Sequence, residues 1–371
     1  MLKVALTSMA MVAGLTTAGF AQDLDRLSTN ELVELANQEG SVTVYSFTSR
    51  ISKVEAAFEA AYPNIDLQGY DISSTEQIAR LKAEAAAGIA NADVIYISDV
   101  PVVLSDPELQ AVLEPYVPPR MSDRVPGEFR SPLLAQRLST KLLMYNEQAN
   151  PDGSPIENIW QLTTPEWRGR VVMVDPLQRG DYLDLMTEIV LQSDAMAAAY
   201  EEQFGTPIEL GDAANAGEKF IMDLFANDLI LVKSTDDVNA AVGKLGQDNP
   251  PVGFTSYSDR RDNEEEGWAL QISNETKPSP GIVFPAVLAV SKYARNPAAA
   301  RLVIDFLMGD DSETGGPGFA PFYVPGDYST RSDIAAHPDA ISLDDLNAWR
   351  IQPTATARIR AEVGDLVLTL Q

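Results

Sequence analysis

Residues 41–58 read SVTVYSFTSRISKVEAAF, a strand pattern that turns into a helix pattern at its middle. Val42 and Val44 alternate with Thr43 and Tyr45, and all four favour strands. Ile51, Val54, Ala57 and Phe58 then recur at helical spacing. Between the two lie Ser46, Phe47, Thr48, Ser49 and Arg50. Hydroxyl side chains at such a junction cap helices. The unpaired N–H groups of the first turn, backed by the helix dipole, also favour an anion there. Arg50 adds a fork of donors suited to phosphate or carboxylate. One junction of this kind is most simply a helix cap, with Ser49 as the capping residue. The functional argument rests on its recurrence.

Working outward, a short helix over Asn30–Gln38 precedes the stretch, capped at Ser28 or Thr29 and stopped by Gly40. A second strand is expected over Asn64–Tyr70, and Asp71 to Glu76 then leads into a helix that ends before Gly88. A third strand, Asp93–Ile97, carries Ser98 and Asp99 at its end. This β-α-β-α-β order predicts a parallel sheet, whose ligand crevice lies beyond the strands' carboxyl ends. Ser46–Arg50, Ser73–Thr75 and Ser98–Asp99 all fall on that edge. A second α/β unit follows, with strands over Lys141–Tyr145, Arg170–Val174, Leu229–Val232 and Val252–Phe254. Its junctions are Asp175–Tyr182, with Arg179 in the place of Arg50, then Ser234–Asp236 and Thr255–Tyr257. A strong apolar strand over Gly281–Val290, a helix over Pro297–Met308, a Gly/Pro-rich loop over Gly309–Asp327 and helices over Leu346–Leu370 complete the chain.

Residues 1–21 read as a signal peptide: Lys3, an apolar run from Val4 to Leu15, and Gly19 and Ala21 before a cut at Gln22. The run is too short, and too interrupted, to span a bilayer. The chain has no cysteine, which excludes disulfides, thiolate chemistry and a lipid-anchored cysteine. The net charge of −27, from 27 basic and 54 acidic residues, argues against nucleic acid and anionic membranes as partners. A hydrophobic content of 45% argues against disorder. Any anion site must then be local, built from backbone dipoles and a few arginines.

The order of these pieces resembles the periplasmic solute-binding proteins of ABC importers. The stretches that carry the resemblance are LVELANQEGSVTVYSFTSR, ADVIYISD, KLLMYNEQ, IENIWQLTTPEWRGRVVMVDP and GIVFPAVLAVSKYARNPAAARLVIDFLM. Within that family the chain is most similar to the cluster that binds ferric iron, phosphonates, hexose phosphates and thiamine. The resemblance implies an α/β, two-lobe type II periplasmic-binding-protein-like fold with the ligand cleft between the lobes. The first lobe would comprise 22–135 plus 278–325 and the second 136–277, with 326–371 as C-terminal helices. It also implies ligand contacts from Ser46, Thr48, Ser49 and Arg50 in the first lobe and from Arg179, Gly180, Asp181 and Tyr182 in the second. Ser74, Thr75, Asp99, Thr235 and Tyr257 are lesser contributors.

The expected function is extracytoplasmic capture of a small anionic organic solute, a phosphate or phosphonate compound favoured, and its delivery to an ABC permease in the inner membrane. The expected protein is a periplasmic monomer without cofactor or metal. Ferric-iron capture by the same fold is the alternative. Against it, Thr255–Ser258 holds one tyrosine where ferric members pair two, and the single histidine, His337, sits in a polar stretch read as exposed loop. An enzyme is not expected: GxSxG, HExxH and Walker motifs are absent, and one histidine makes a Ser-His-Asp triad improbable. The carboxylate inventory by itself leaves a glycosidase pair open. Trp160 and Trp167 read as turn packing, and Tyr45 as either core or cleft wall.

Overall fold

The computed structural model describes residues 23–371, so the signal-peptide reading lies outside the described residues. The principal strands are β1 (Ser41–Ser46), β2 (Asp66–Asp71), β3 (Val94–Ile97), β4 (Leu134–Asn146), β5 (Val171–Val174), β6 (Ile230–Val232), β7 (Val252–Thr255) and β8 (Gly281–Ser291). They join in one mixed sheet in the order β2-β1-β3-β8-β4-β7-β5-β6. The helices that shape the site are α1 (Thr29–Glu39), α2 (Ile51–Ala61), α3 (Ser74–Ala87), α4 (Val100–Ser105), α5 (Gly180–Leu191), α6 (Thr235–Gly243), α7 (Pro297–Leu307) and α8 (Pro353–Leu370).

Local chemistry accounts for the element ends. Ser28 closes a capping box with Glu31, its hydroxyl accepting from the Glu31 N–H and the Glu31 carboxylate accepting from the Ser28 N–H. Gly40 ends α1 at φ 75°, a left-handed position that suits glycine. Glu39 caps α7 across space, accepting from the Ala298 and Ala299 N–H groups at 3.1 and 2.7 Å. Buried Asp93 accepts from the N–H groups of Thr43, Arg295 and Asn296 and so ties the first strands to the return of the chain.

β1 pairs in parallel with both β2 and β3. β5 pairs in parallel with β6 and β7. Between these groups run the two long strands, β4 and β8, antiparallel to each other with a register shift between Ala286 and Val287. Buried side chains separate accordingly. Val42, Val44, Phe58, Val94 and Leu288 share a core with α7, and Ile95, Ile97, Val103 and Val287 pack on the opposite sheet face. Trp160, Met173, Leu185, Phe220 and Phe254 belong to another core, which Ile282, Val283 and Phe284 enter from β8. The fold is thus two α/β lobes bridged by β4 and β8, the two-lobe arrangement expected from the resemblance.

Several details differ from expectation. The strand expected over Lys141–Tyr145 begins at Leu134, because Arg137, Ser139 and Lys141 alternate with Leu138, Thr140 and Leu142. The helix after Arg179 is followed at once by a second, Ser193–Phe204. Helix at the C-terminus begins only at Pro353, at the first helical position where its missing N–H costs nothing, and Trp349–Arg350 before it is a short strand on β8. Trp160 is buried in its turn and donates its indole N–H to the Met196 carbonyl at 2.8 Å. Tyr45 is core, its hydroxyl donating to Glu84 at 2.8 Å.

Candidate functional site

A cavity of about 240 Å³ opens between the lobes, where the parallel strands of both lobes end. The first lobe contributes Phe47, Thr48, Ser49, Arg50 and Asp71. The bridging strands contribute Arg137, Ser139, Lys141 and Phe284. The second lobe contributes Arg179, Asp181, Ser234, Thr235 and Asp236, then Ser256, Ser258, Asp259 and Arg261. A larger hollow of about 430 Å³ lies elsewhere, lined mostly by apolar groups such as Phe129, Leu138, Val283 and Ile351, and lacks such converging charges.

The turn after β1 is built by Ser46. Its buried hydroxyl accepts from the Thr48 N–H at 3.2 Å and donates to the Thr48 carbonyl at 3.0 Å. Thr48 Oγ1 accepts from both the N–H and Nε of Arg50 at 3.4 Å. Arg50, not Ser49, is the residue before α2, and no side chain caps that helix. Ser49 is exposed and lines the cavity. On the second lobe Arg179 precedes α5, and Ser234 caps α6 by accepting from the Asp237 N–H at 3.1 Å.

Five basic side chains converge on this space: Arg50, Arg137, Lys141, Arg179 and Arg261. Each has a carboxylate partner. Asp327, fully buried, takes Arg50 Nη1 at 2.6 Å and Arg137 Nε at 3.2 Å. Asp181 takes Lys141 Nζ at 3.2 Å and Arg179 Nη2 at 3.6 Å. Arg261 pairs with Asp259 and Asp262, both at 2.9 Å. Arg137 is held further by the rings of Phe322, Phe47 and Tyr96, at 4.5, 5.3 and 5.3 Å. Lys141 donates to Ser256 Oγ at 2.6 Å and lies 5.0 Å from the Tyr182 ring.

Titration follows from these neighbours. Burial alone would raise the Asp181 carboxyl, but Lys141 and Arg179 outweigh it and hold the group below the ordinary carboxylate range. Asp327 is the same case, with Arg50 and Arg137 as the cations. Burial pulls the Arg137 guanidinium down to about 9, with Asp327 opposing and Arg50 adding to the shift, so it stays charged at neutral pH. The charge of Asp181 raises Arg179. Burial raises Asp71, which Arg179 partly offsets.

Of the residues expected from the sequence, Thr48, Ser49, Arg50, Arg179, Asp181 and Thr235 meet in this cavity. Ser46 lies beneath it as a turn former. Ser74 is buried, its hydroxyl 3.0 Å from that of Ser98, and Thr75 is exposed outside the cavity. Tyr182 is buried below Lys141, and burial raises its phenol well above the ordinary value. Asp99 and Gly180 face each other and Arg360 rather than the cavity. Tyr257 points away: its hydroxyl donates to the Asp339 carbonyl at 3.4 Å and accepts from the Ile341 N–H at 3.2 Å. His337 lies in the same irregular segment, outside the cavity.

Arg137, Ser139, Lys141 and Arg261 escaped the sequence reading. For the first three a signal exists: RLSTK places a charge, a hydroxyl and a charge at alternate strand positions. The Gly309–Asp327 loop, which the sequence left without a role, delivers Asp327 to Arg50 and Arg137. Gly326 makes that path possible. It sits at φ +86°, and a Cβ there would come within 2.5 Å of the Tyr257 ring.

No protein-family model and no curated protein sequence matches the chain. Solved structures match it over most of its length. Iron-bound HitA from Pseudomonas aeruginosa aligns with a TM-score of 0.65 at 19% identity, covering 89% of this chain and 99% of that one. The periplasmic binding protein P5PA aligns with a TM-score of 0.68 at 15% identity, covering 90% and 100%. AfuA from Actinobacillus pleuropneumoniae, solved with fructose-6-phosphate, aligns with a TM-score of 0.65 at 18% identity, covering 89% and 97%. From its two bridged lobes and these alignments together, the chain has the type II periplasmic-binding-protein fold.

Proposed function

We propose that this protein is an extracytoplasmic solute-binding protein that captures a small anionic organic solute between its lobes and delivers it to an ABC permease. The observation that carries this reading is the convergence of Arg50, Arg137, Lys141, Arg179 and Arg261 on one small cavity, from both lobes and from a bridging strand. Two of them sit beside helix starts, where first-turn N–H groups add to the attraction. The hydroxyls of Thr48, Ser49, Ser139, Ser234, Thr235, Ser256 and Ser258 supply further donors. A phosphate or phosphonate group suits this donor set, because its oxygens accept several charge-assisted hydrogen bonds at once. The carboxylates that pair the cations keep them in place before the ligand arrives. The reading includes a periplasmic, monomeric, non-enzymatic protein with a cleaved leader, a first lobe of 22–135 plus 278–325 and a second of 136–277.

Ferric-iron capture fits the lining less well. Among the described residues no tyrosine lines the cavity, and the Tyr257 hydroxyl is engaged with backbone groups outside it. Among the described residues, no group of three or more His, Cys, Asp or Glu stands ready to hold a metal.

Thermal melting of the purified protein with methylphosphonate, hexose phosphates, simple carboxylates and ferric citrate tests the proposal, followed by calorimetric titration of whichever stabilises. A melting shift with a phosphate or phosphonate compound is expected. A shift with ferric iron alone, accompanied by a visible tyrosinate band, overturns it.

A further inference from the structure

Helix α8 packs against α4 of the first lobe and α5 of the second. Thr356, Val363 and Val367 are its buried residues. Arg360 projects from the same helix into the seam between the lobes. Its Nη2 lies 3.0 and 3.1 Å from the two carboxylate oxygens of Asp99, at the end of β3. Its Nε lies 2.6 Å from Asp184 Oδ1 on α5, and its Nη2 also donates to the Gly180 carbonyl at 3.2 Å. One guanidinium therefore grips both lobes.

Three features set this contact apart from an ordinary surface ion pair. Asp99 and Asp184 are 2% and 1% exposed, and among the described residues Arg360 is the basic group paired with either. Without it, two buried carboxyl groups from opposite lobes would face each other with no cation between them. Second, the lobes approach closely here: a Cβ on Gly180 would stand 2.1 Å from Asp99 Oδ2 and 2.8 Å from Arg360 Nη2. Third, Gly180 lies between Arg179 and Asp181, which both line the cavity. The helix end that Arg360 holds is the one that presents these two groups.

We propose that Arg360 is a positioning residue for ligand capture, holding Asp99 of the first lobe against Gly180 and Asp184 of the second and so setting the distance between Arg50 and Arg179 across the cleft. This rests on the cleft reading given above. The argument is electrostatic and steric. The rigid fork donates to one oxygen of each carboxylate from fixed directions, a geometry that a flexible ammonium holds less firmly. Removing it leaves two buried carboxyl groups with no donor between them, and separation of the lobes is what lets water reach them. An apparent affinity is reduced by the fraction of molecules in the competent arrangement. Arg360 therefore acts on binding without touching the ligand.

The absence of cysteine makes the test direct, since spin labels go only where cysteines are introduced. Lys53→Cys, on α2, and Lys233→Cys, after β6, are exposed positions on opposite lobes. Pulsed electron–electron distances are measured in this pair without ligand, for the parent, Arg360→Met, Arg360→Lys and Gly180→Ala. Affinity for inorganic phosphate is measured in parallel. Longer and broader distances are expected in Arg360→Met, an intermediate change in Arg360→Lys, and phosphate affinity weakened about tenfold in Arg360→Met. If Arg360→Met does not fold, Gly180→Ala decides, because it wedges the seam without altering charge and is expected to lengthen the distance. A merely structural arginine would lower the melting temperature and leave the distances in place. Unchanged distances in the folded variants overturn the proposal whatever the ligand. Failure of phosphate to bind the parent counts against the cleft reading alone, and the ligand-free distances still decide the role of Arg360.

Discussion

The junctions at 46–50 and 175–182 look alike in sequence, each a strand end, a polar turn and an arginine before a helix. In the structure they do different work. Arg50 is 8% exposed, fixed by Asp327 at 2.6 Å and by the Pro321 carbonyl at 3.1 Å. Arg179 keeps 27% of its side chain exposed, and its ion pair to Asp181 is long, at 3.6 Å. One arginine is built into the wall and the other is more exposed and more loosely paired. Identical local patterns thus leave the role of a charged side chain open, because a distant segment supplies the partner that decides it.

The sharpest break in the comparison is stability. By sequence both arginines read as ligand contacts, whose truncation is expected to weaken binding and to leave folding nearly unaffected. For Arg50 the burial corrects that expectation. Arg50→Ala removes one of two cations from a buried carboxylate, and breaking such a pair costs about 3 kcal/mol. Urea denaturation should show this loss with an unchanged slope. The double variant Arg50→Ala with Asp327→Ala should lose less than the sum of the singles, since the two share one interaction. Additive losses would mean that the pair is not coupled.

Gly326→Ala probes the same wall from its far end. A methyl group at φ +86°, pressed against the Tyr257 ring, forces the loop that carries Asp327 to shift. A cost of roughly 2 kcal/mol is expected, together with weaker ligand binding as Arg50 and Arg137 lose their anchor. A variant with parental stability and affinity would show that the loop does not hold Asp327 in place.

Arg179→Ala is expected to behave in the opposite way. Lys141 remains on Asp181, so the stability change should stay within about 1 kcal/mol. Binding of the captured anion should weaken about tenfold to a hundredfold, the worth of a charge-assisted hydrogen bond of roughly 1.5–3 kcal/mol. Calorimetric titration measures this, and unchanged affinity would return Arg179 to the role of a helix-flanking residue.

Much of the fold was legible because its signals are local. The Ser28 box, the Gly40 and Gly88 stops, the alternation in β1 and the apolar run of β8 all lie within a few residues of the ends they set. The site was legible only where it lies on strand-to-helix junctions, as at Thr48, Ser49, Arg50, Arg179, Asp181 and Thr235. Arg137, Ser139 and Lys141 were hidden by their neighbours: half of β4 faces apolar core, and the polar half reads as an ordinary exposed face. Tyr257 and Asp99 sit at strand ends as expected, yet turn toward 339–341 and toward α8, segments whose approach no local pattern announces.

The last comparison is between the two acids that anchor the cavity's cations, Asp181 and Asp327, and those of the seam, and it is tested by pH. Asp181 and Asp327 are held below the ordinary carboxylate range, so their contribution to stability is present above about pH 4 and is lost only as pH falls through their depressed values. The seam acids run the other way. Burial pushes Asp99 up to about 6, with Arg360 opposing and Asp181 adding repulsion, and burial and Asp99 raise Asp184 well above its ordinary value. A carboxyl raised in the folded state favours folding at low pH, and that contribution is lost as pH rises through its folded value. Acidifying from pH 7 to 5 should therefore recover on the order of 1 kcal/mol at Asp99, while Asp181 and Asp327 stay ionised. Denaturation midpoints across this range should rise toward pH 5 in the parent. In Asp99→Asn the rise should shrink, because the amide has no proton to take up and still accepts from Arg360. An equal rise in both would place the titrating group elsewhere.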